Sequence, residues 1–126
     1  MERAVRHALA SAGVTEAEVS LTLLDDAGIR ELNRRYLERD RPTDVIAFTL
    51  SAPGEPVLGD VYVGAEQAAR QAADAGLPLT EELVRLAVHG TLHVLGHDHP
   101  EGPERLESPM FRLQESLVAE LLDADG

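Results

Sequence analysis

The chain has 126 residues, a formal charge of −12 and no cysteine. That length suits a single domain over residues 1–126, able to bury about two-thirds of its unfolded surface without staples, and the missing cysteine excludes disulfides, zinc ribbons and thiol catalysis. The acidity argues against general nucleic-acid binding, which needs clustered cations, and no stretch is apolar enough for a signal peptide or a bilayer span, so a soluble cytoplasmic protein is expected.

Residues 2–11 carry Ala4, Val5, Ala8 and Leu9 at helical spacing. "VSLTLL" (19–24) reads as a strand ending at Asp25-Asp26, a pair suited to cap the helix "AGIRELNRRYL". "TDVIAFTL" (43–50) and "LGDVYVG" (58–64) read as two further strands, and the turn residues "SAPGEP" between them predict a hairpin. "AEQAARQAADAG" (65–76) reads as a helix stopped by Gly76 and Pro78. Thr80 is placed to cap the next helix, with Glu81 and Glu82 in its first turn. That helix, "EELVRLAVHGTLHVL", is apolar nearly all round after Arg85, which predicts central burial, and Gly96 ends it. Ser108-Pro109 starts the last helix, "MFRLQESLVAELL". The sum is an α+β fold, a small central mixed β-sheet with helices packed around it.

Four of the five histidines fall in "HGTLHVLGHDH" (89–99). His89 and His93 are four residues apart, so on a helix they diverge by only about 40° and can chelate one metal ion. A third ligand cannot come from the next turn of the same helix. Gly96 can adopt positive φ and swing the chain back, bringing His97 or His99 to the same point. Three neutral imidazoles with an open fourth position describe a catalytic zinc site at the end of a buried central helix, with one zinc ion per chain. Histidines satisfied within the core or at the surface are the alternative.

The spacing of His89, His93, Gly96 and His99 is that of the metzincin pattern H-E-x-x-H-x-x-G-x-x-H. It selects His99 as the third ligand and leaves His97 as a supporting or exposed residue. Gly90 stands where the peptidases carry their general-base glutamate. The ligands therefore match a hydrolase, while peptide chemistry lacks its base. His7 is isolated and reads as a surface residue.

All eleven cations are arginine. Arg30, Arg34, Arg35, Arg39 and Arg41 crowd one short segment, either a basic patch within an acidic chain or a solvated helix face. The aromatics are few: Tyr36, Phe48, Tyr62 and Phe111. Phe48 and Tyr62 lie in strands and read as core or sheet-face residues rather than base-stacking platforms.

"HGTLHVLGHDH" closely resembles the signature of the YbeY family, bacterial rRNA maturation factors described as metal-dependent single-strand endoribonucleases. The resemblance extends to "ELNRRYLERDRPTDVIAF" (31–48), "LGDVYV" (58–63) and the closing "MFRLQESL", in the same order along most of the chain. It implies an α+β fold, a zinc ion held by His89, His93 and His99, and a role in maturing the 3′ end of small-subunit rRNA and in ribosome quality control. The implied partners are rRNA and the small ribosomal subunit. Catalysis is then expected of the metal with His89, and of Asp98, which stands between two candidate ligands and suits orienting a histidine or handling protons; an acidic loop residue is the other reading. Asp60 is open in the same way, with turn chemistry as the alternative. RNA contacts are expected of Arg34, Arg35, Arg39 and Arg41, with steep salt dependence.

One departure stands out. Family members usually carry arginine after the tyrosine matching Tyr36, and here that position is Leu37. Two other readings remain: a metzincin-like zinc peptidase, opposed by Gly90, and a non-catalytic ribosome-associated factor with a structural metal. Oligomeric state is open.

Overall fold

The computed structural model describes residues 1–98 and 103–125. Three strands and five α-helices follow in the order α1 (Glu2–Ser11), β1 (Ala17–Leu24), α2 (Asp26–Leu37), β2 (Val45–Thr49), β3 (Val57–Gly64), α3 (Ala65–Ala75), α4 (Leu79–Val94) and α5 (Pro109–Asp125). A short 3-10 turn, Pro103–Glu107, precedes α5. The sheet is mixed, with order β1-β3-β2. β2 and β3 form the antiparallel hairpin expected from their turn, with Ala47 opposite Val61. β1 runs parallel to β3, Leu21 opposite Val61. Such a pairing needs a crossover connection, which α2 and β2 supply.

Alternation along the strands decides which face each residue takes. Val61 and Val63 join Val19, Leu21, Val45 and Ala47 on the face that packs against Leu86 and Val94 of α4 and Ala68 of α3. The opposite flank of α4, through Ala87, Val88 and Leu92, meets Ala4, Val5 and Ala8 of α1 and Met110, Leu117 and Val118 of α5. α4 is therefore wedged between the sheet on one side and α1 and α5 on the other, which is why its sequence is apolar nearly all round. The α+β architecture matches the expectation from sequence.

The caps hold with one exception. Asp25 accepts a hydrogen bond from the Gly28 amide at 2.7 Å, and Ser108 Oγ accepts from the Phe111 amide at 3.1 Å. Thr80 does not cap α4: the helix begins at Leu79 with extended Pro78 before it, and no side chain caps it. The Pro78 carbonyl accepts from the Glu81 amide at 3.1 Å, so Thr80 already lies inside the first turn. Asp60 sits within β3 and not at a turn. No helix among the described residues is long and apolar enough to cross a membrane.

Candidate metal and RNA site

The third stripe of α4 runs between the side packed on the sheet and the side packed on α5, and opens onto a cavity. Glu82, Leu86, His89 and His93 recur along it and line a cavity of about 570 Å³. The helical spacing does what the sequence requires: the two imidazoles face each other with ring centroids 4.6 Å apart, and their Nε2 atoms are 3.0 Å apart.

Both rings are fixed by what their other nitrogen touches. His93 Nδ1 donates to the His97 carbonyl at 3.0 Å. His89 Nδ1 donates to Gln114 Oε1 on α5 at 2.5 Å. A carbonyl and an amide oxygen can only accept, so each ring carries its proton on Nδ1 and presents the Nε2 lone pair. Two lone pairs that close repel unless a cation joins them. Tetrahedral ligand nitrogens about 2.0–2.1 Å from zinc lie about 3.3 Å from each other, so the pair fits a single metal ion. Among the described residues no group of three or more histidine, cysteine or carboxylate side chains is placed to hold one. The expected third ligand, His99, lies outside the described residues.

Gly96 brings about the chain reversal expected of it. It has φ of +97°, and its amide donates to the His93 carbonyl while the His97 amide donates to the Leu92 carbonyl, both at 3.0 Å. This is a Schellman ending. It also delivers the His97 carbonyl to His93 Nδ1, so His97 contributes through its backbone while its residue stays exposed.

Gln114 extends the support outward. It is 5 % exposed, and its Nε2 donates to Glu115 at 3.0 Å. Glu115 in turn accepts from Arg85 Nε at 2.9 Å. Burial pushes the Glu115 carboxyl up, but the hydrogen bonds from Arg85 and Gln114 outweigh it and hold the group below the usual glutamate range. A fixed anion thus orients the amide that orients His89.

The structure also explains Gly90. One residue past His89, its position faces the sheet, and a Cβ there would lie 2.5 Å from Val61 Cγ1 and 3.2 Å from Val45 Cγ2. No side chain at 90 reaches the cavity.

The arginine segment divides. Arg39 and Arg41 line the cavity, joined by Arg105 from the turn before α5. They are brought there by Glu38, whose left-handed φ of 58° turns the chain at the end of α2. Buried Asn33 then pins the segment, donating from Nδ2 to the Arg41 carbonyl at 2.9 Å. Arg34 instead pairs with Glu31 at 2.6 Å, and Arg30 with Asp40 at 2.8 Å, both on exposed surface. Arg35 is exposed on α2 and does not line the cavity.

The remaining candidates are not among the residues that line the cavity. Asp98 is exposed beside His97, and the His89 and His93 rings are oriented by Gln114 and a backbone carbonyl. Asp60 points to the sheet face away from α4, where Ser20 Oγ donates to it at 2.5 Å. Phe48 and Tyr62 are sheet-face residues there, in edge contact with each other, and Phe48 also meets Tyr36. Leu37 ends α2, 47 % exposed, outside the cavity. His7 sits on α1 and, unlike the surface residue expected, is partly buried against α5, its Nε2 3.3 Å from Glu120. Sequence reasoning missed Gln114, Arg105 and Glu82. Gln114 left a signal, a polar residue on the stripe formed by Met110, Leu117 and Val118.

Comparison with known proteins places these features in context. The family model described as Endoribonuclease YbeY matches residues 1–122. The Endoribonuclease YbeY of Desulfitobacterium hafniense is 47 % identical over 121 residues, covering 88 % of this chain and 76 % of that protein. Its namesake from Moorella thermoacetica is 49 % identical, covering 94 % of this chain and 83 % of the relative. The solution structure of TM1509 from Thermotoga maritima aligns with a TM-score of 0.68 at 27 % identity, over 98 % of this chain and 81 % of that one.

Proposed function

Because the chain belongs to the Endoribonuclease YbeY family, we propose that it is a zinc-dependent endoribonuclease that cuts single-stranded RNA in the cytoplasm, maturing the 3′ end of small-subunit rRNA and serving ribosome quality control. The observation that carries the metal part is the pair of Nε2 atoms 3.0 Å apart, each exposed by a hydrogen bond on the far side of its ring. His89, His93 and His99 would hold the zinc in metzincin-like geometry. When bound, the ion supplies Lewis-acid polarisation of a phosphodiester oxygen.

The chain's own residues do the rest. Gln114 and the His97 carbonyl hold the two imidazoles in the ligating tautomer. Arg39, Arg41 and Arg105 face the same cavity and offer cations to the phosphates on either side of the scissile bond. Arg39 stands two residues beyond Leu37 and supplies the charge that the family carries at that position. Asp98, exposed beside His97, is assigned proton handling. The peptidase reading fails on Gly90, because no side chain fits between α4 and Val61 to act as base.

The test is cleavage of a short rRNA 3′-precursor by purified protein, with chelator and His93→Ala controls. Cleavage lost in both controls is expected. Folded, metal-loaded protein that leaves the precursor intact would instead support a non-catalytic ribosome-associated factor.

A further inference from the structure

Glu82 is a charged group at the cavity that the metal site does not use. It lies two turns before His89 on the same stripe of α4, lines the same cavity, and is only 7 % exposed. Among the described residues no hydrogen bond reaches its carboxyl. Its side chain lines the cavity wall, so a ligand entering there can become the partner that the protein does not supply.

The neighbours do not provide it. Arg85, the nearest cation, is engaged by Glu115 at 2.9 Å and by Glu81 at 3.4 Å. Burial raises the Glu82 carboxyl above the usual glutamate range; Arg85 opposes this and Asp44 adds to it. Asp44 lines the same cavity and accepts a long, 3.5 Å hydrogen bond from Thr43 Oγ1. Gln71, also on the wall, has its Oε1 occupied by Gln67 at 3.3 Å. The Glu82 and Asp44 carboxyls are the acceptors on this wall, and they suit a ligand that brings N–H donors. A second metal ion does not suit it, since no group of three or more metal-binding side chains is found among the described residues.

Resting on the endoribonuclease reading, we propose that Glu82 and Asp44 form a base-recognition subsite for an RNA nucleobase that carries an exocyclic amino group. Glu82 and His89 are separated by about 10 Å along the helix axis, which leaves room for one nucleotide between base edge and scissile phosphate. An amino N–H donates to a carboxyl oxygen whether or not the carboxyl is ionised, as cytosine N4 does to Glu and Asp carboxylates. Uracil presents a carbonyl at that position, so it meets an ionised carboxylate acceptor to acceptor and leaves both unpaired, whereas only a protonated carboxyl could donate to it.

Fluorescence anisotropy with labelled hexacytidylate and hexauridylate, on metal-free protein at one fixed low salt, tests this without reading cleavage. Hexacytidylate should bind about tenfold tighter, and Glu82→Leu should bring the two affinities together. Equal binding by the parent protein, binding of neither oligomer, or an unchanged ratio in folded Glu82→Leu would overturn the subsite. Should Glu82→Leu not fold, the Glu82 carboxyl-carbon NMR signal of the parent protein decides. A shift with hexacytidylate alone supports the proposal, and no shift defeats it. Discrimination that persists in a protein unable to cleave RNA would count against the endoribonuclease reading and leave the subsite standing.

Discussion

Gln114→Leu removes one hydrogen bond and little volume. In the parent protein Gln114 Oε1 accepts from His89 Nδ1 at 2.5 Å, and the residue is 5 % exposed, so water cannot simply replace it. With leucine, the imidazole either keeps an unpaired buried N–H, at a cost of about 1–3 kcal/mol, or moves its proton to Nε2 and loses the lone pair that faces His93. Either route penalises metal binding. Loss of a partner of this kind typically lowers metal affinity by about 10- to 100-fold, equivalent to about 1.4–2.7 kcal/mol. Competition against a chromophoric zinc chelator on folded protein measures the loss. Long-range nitrogen-15 NMR spectra of metal-free protein tell the two routes apart, with His89 protonated on Nδ1 in the parent and on Nε2 in the variant if the proton moves. Gln114→Glu retains an acceptor and should keep most of the affinity. Parental zinc affinity and an unchanged tautomer in Gln114→Leu would refute this account of the support.

Three further predictions use other parts of the structure. Gly90→Ala places a methyl group 2.5 Å from Val61 Cγ1 and should destabilise by about 1–3 kcal/mol, less the roughly 1 kcal/mol that alanine gains over glycine in a helix; a urea midpoint above that of the parent would contradict the packing argument. The raised folded-state pKa of Glu82 gives a contribution to stability that is present below the unfolded value of about 4.3 and lost as pH rises through the folded value. Glu82→Gln cannot ionise, so its stability relative to the parent should increase from pH 4 to pH 8, and a pH-independent difference in unfolding midpoints would argue against it. Arg41→Ala and Arg105→Ala should each flatten the log–log salt dependence of single-stranded RNA binding by about 0.7, whereas Arg34→Ala, whose guanidinium is held by Glu31, should leave the slope in place.

What the sequence revealed was local. The i, i+4 histidines, the glycine ending of α4 and the β2–β3 hairpin each depend on neighbours within a few residues, and each stands as expected. The Thr80 cap differs from the observed one by two residues, because extended Pro78 takes the cap position and the helix begins at Leu79, earlier than side-chain capping suggests. Long-range features were not legible. Gln114 reaches His89 from 25 positions away, and nothing near His89 in the chain announces it. Arg39 and Arg41 differ from Arg30 and Arg34 only because Glu38 turns the chain and Asn33 holds it. Asp60 was ambiguous until the pairing of β3 with β1 set it beside Ser20, on the face away from the histidines.

The central claim is that these histidines hold one zinc ion, and metal stoichiometry on purified variants tests it most directly. After zinc loading and desalting, about one equivalent should remain on the parent protein and on His97→Ala, since His97 serves through its backbone carbonyl. His89→Ala, His93→Ala and His99→Ala should each lose most of it. Full occupancy in folded His89→Ala or His93→Ala would contradict the account.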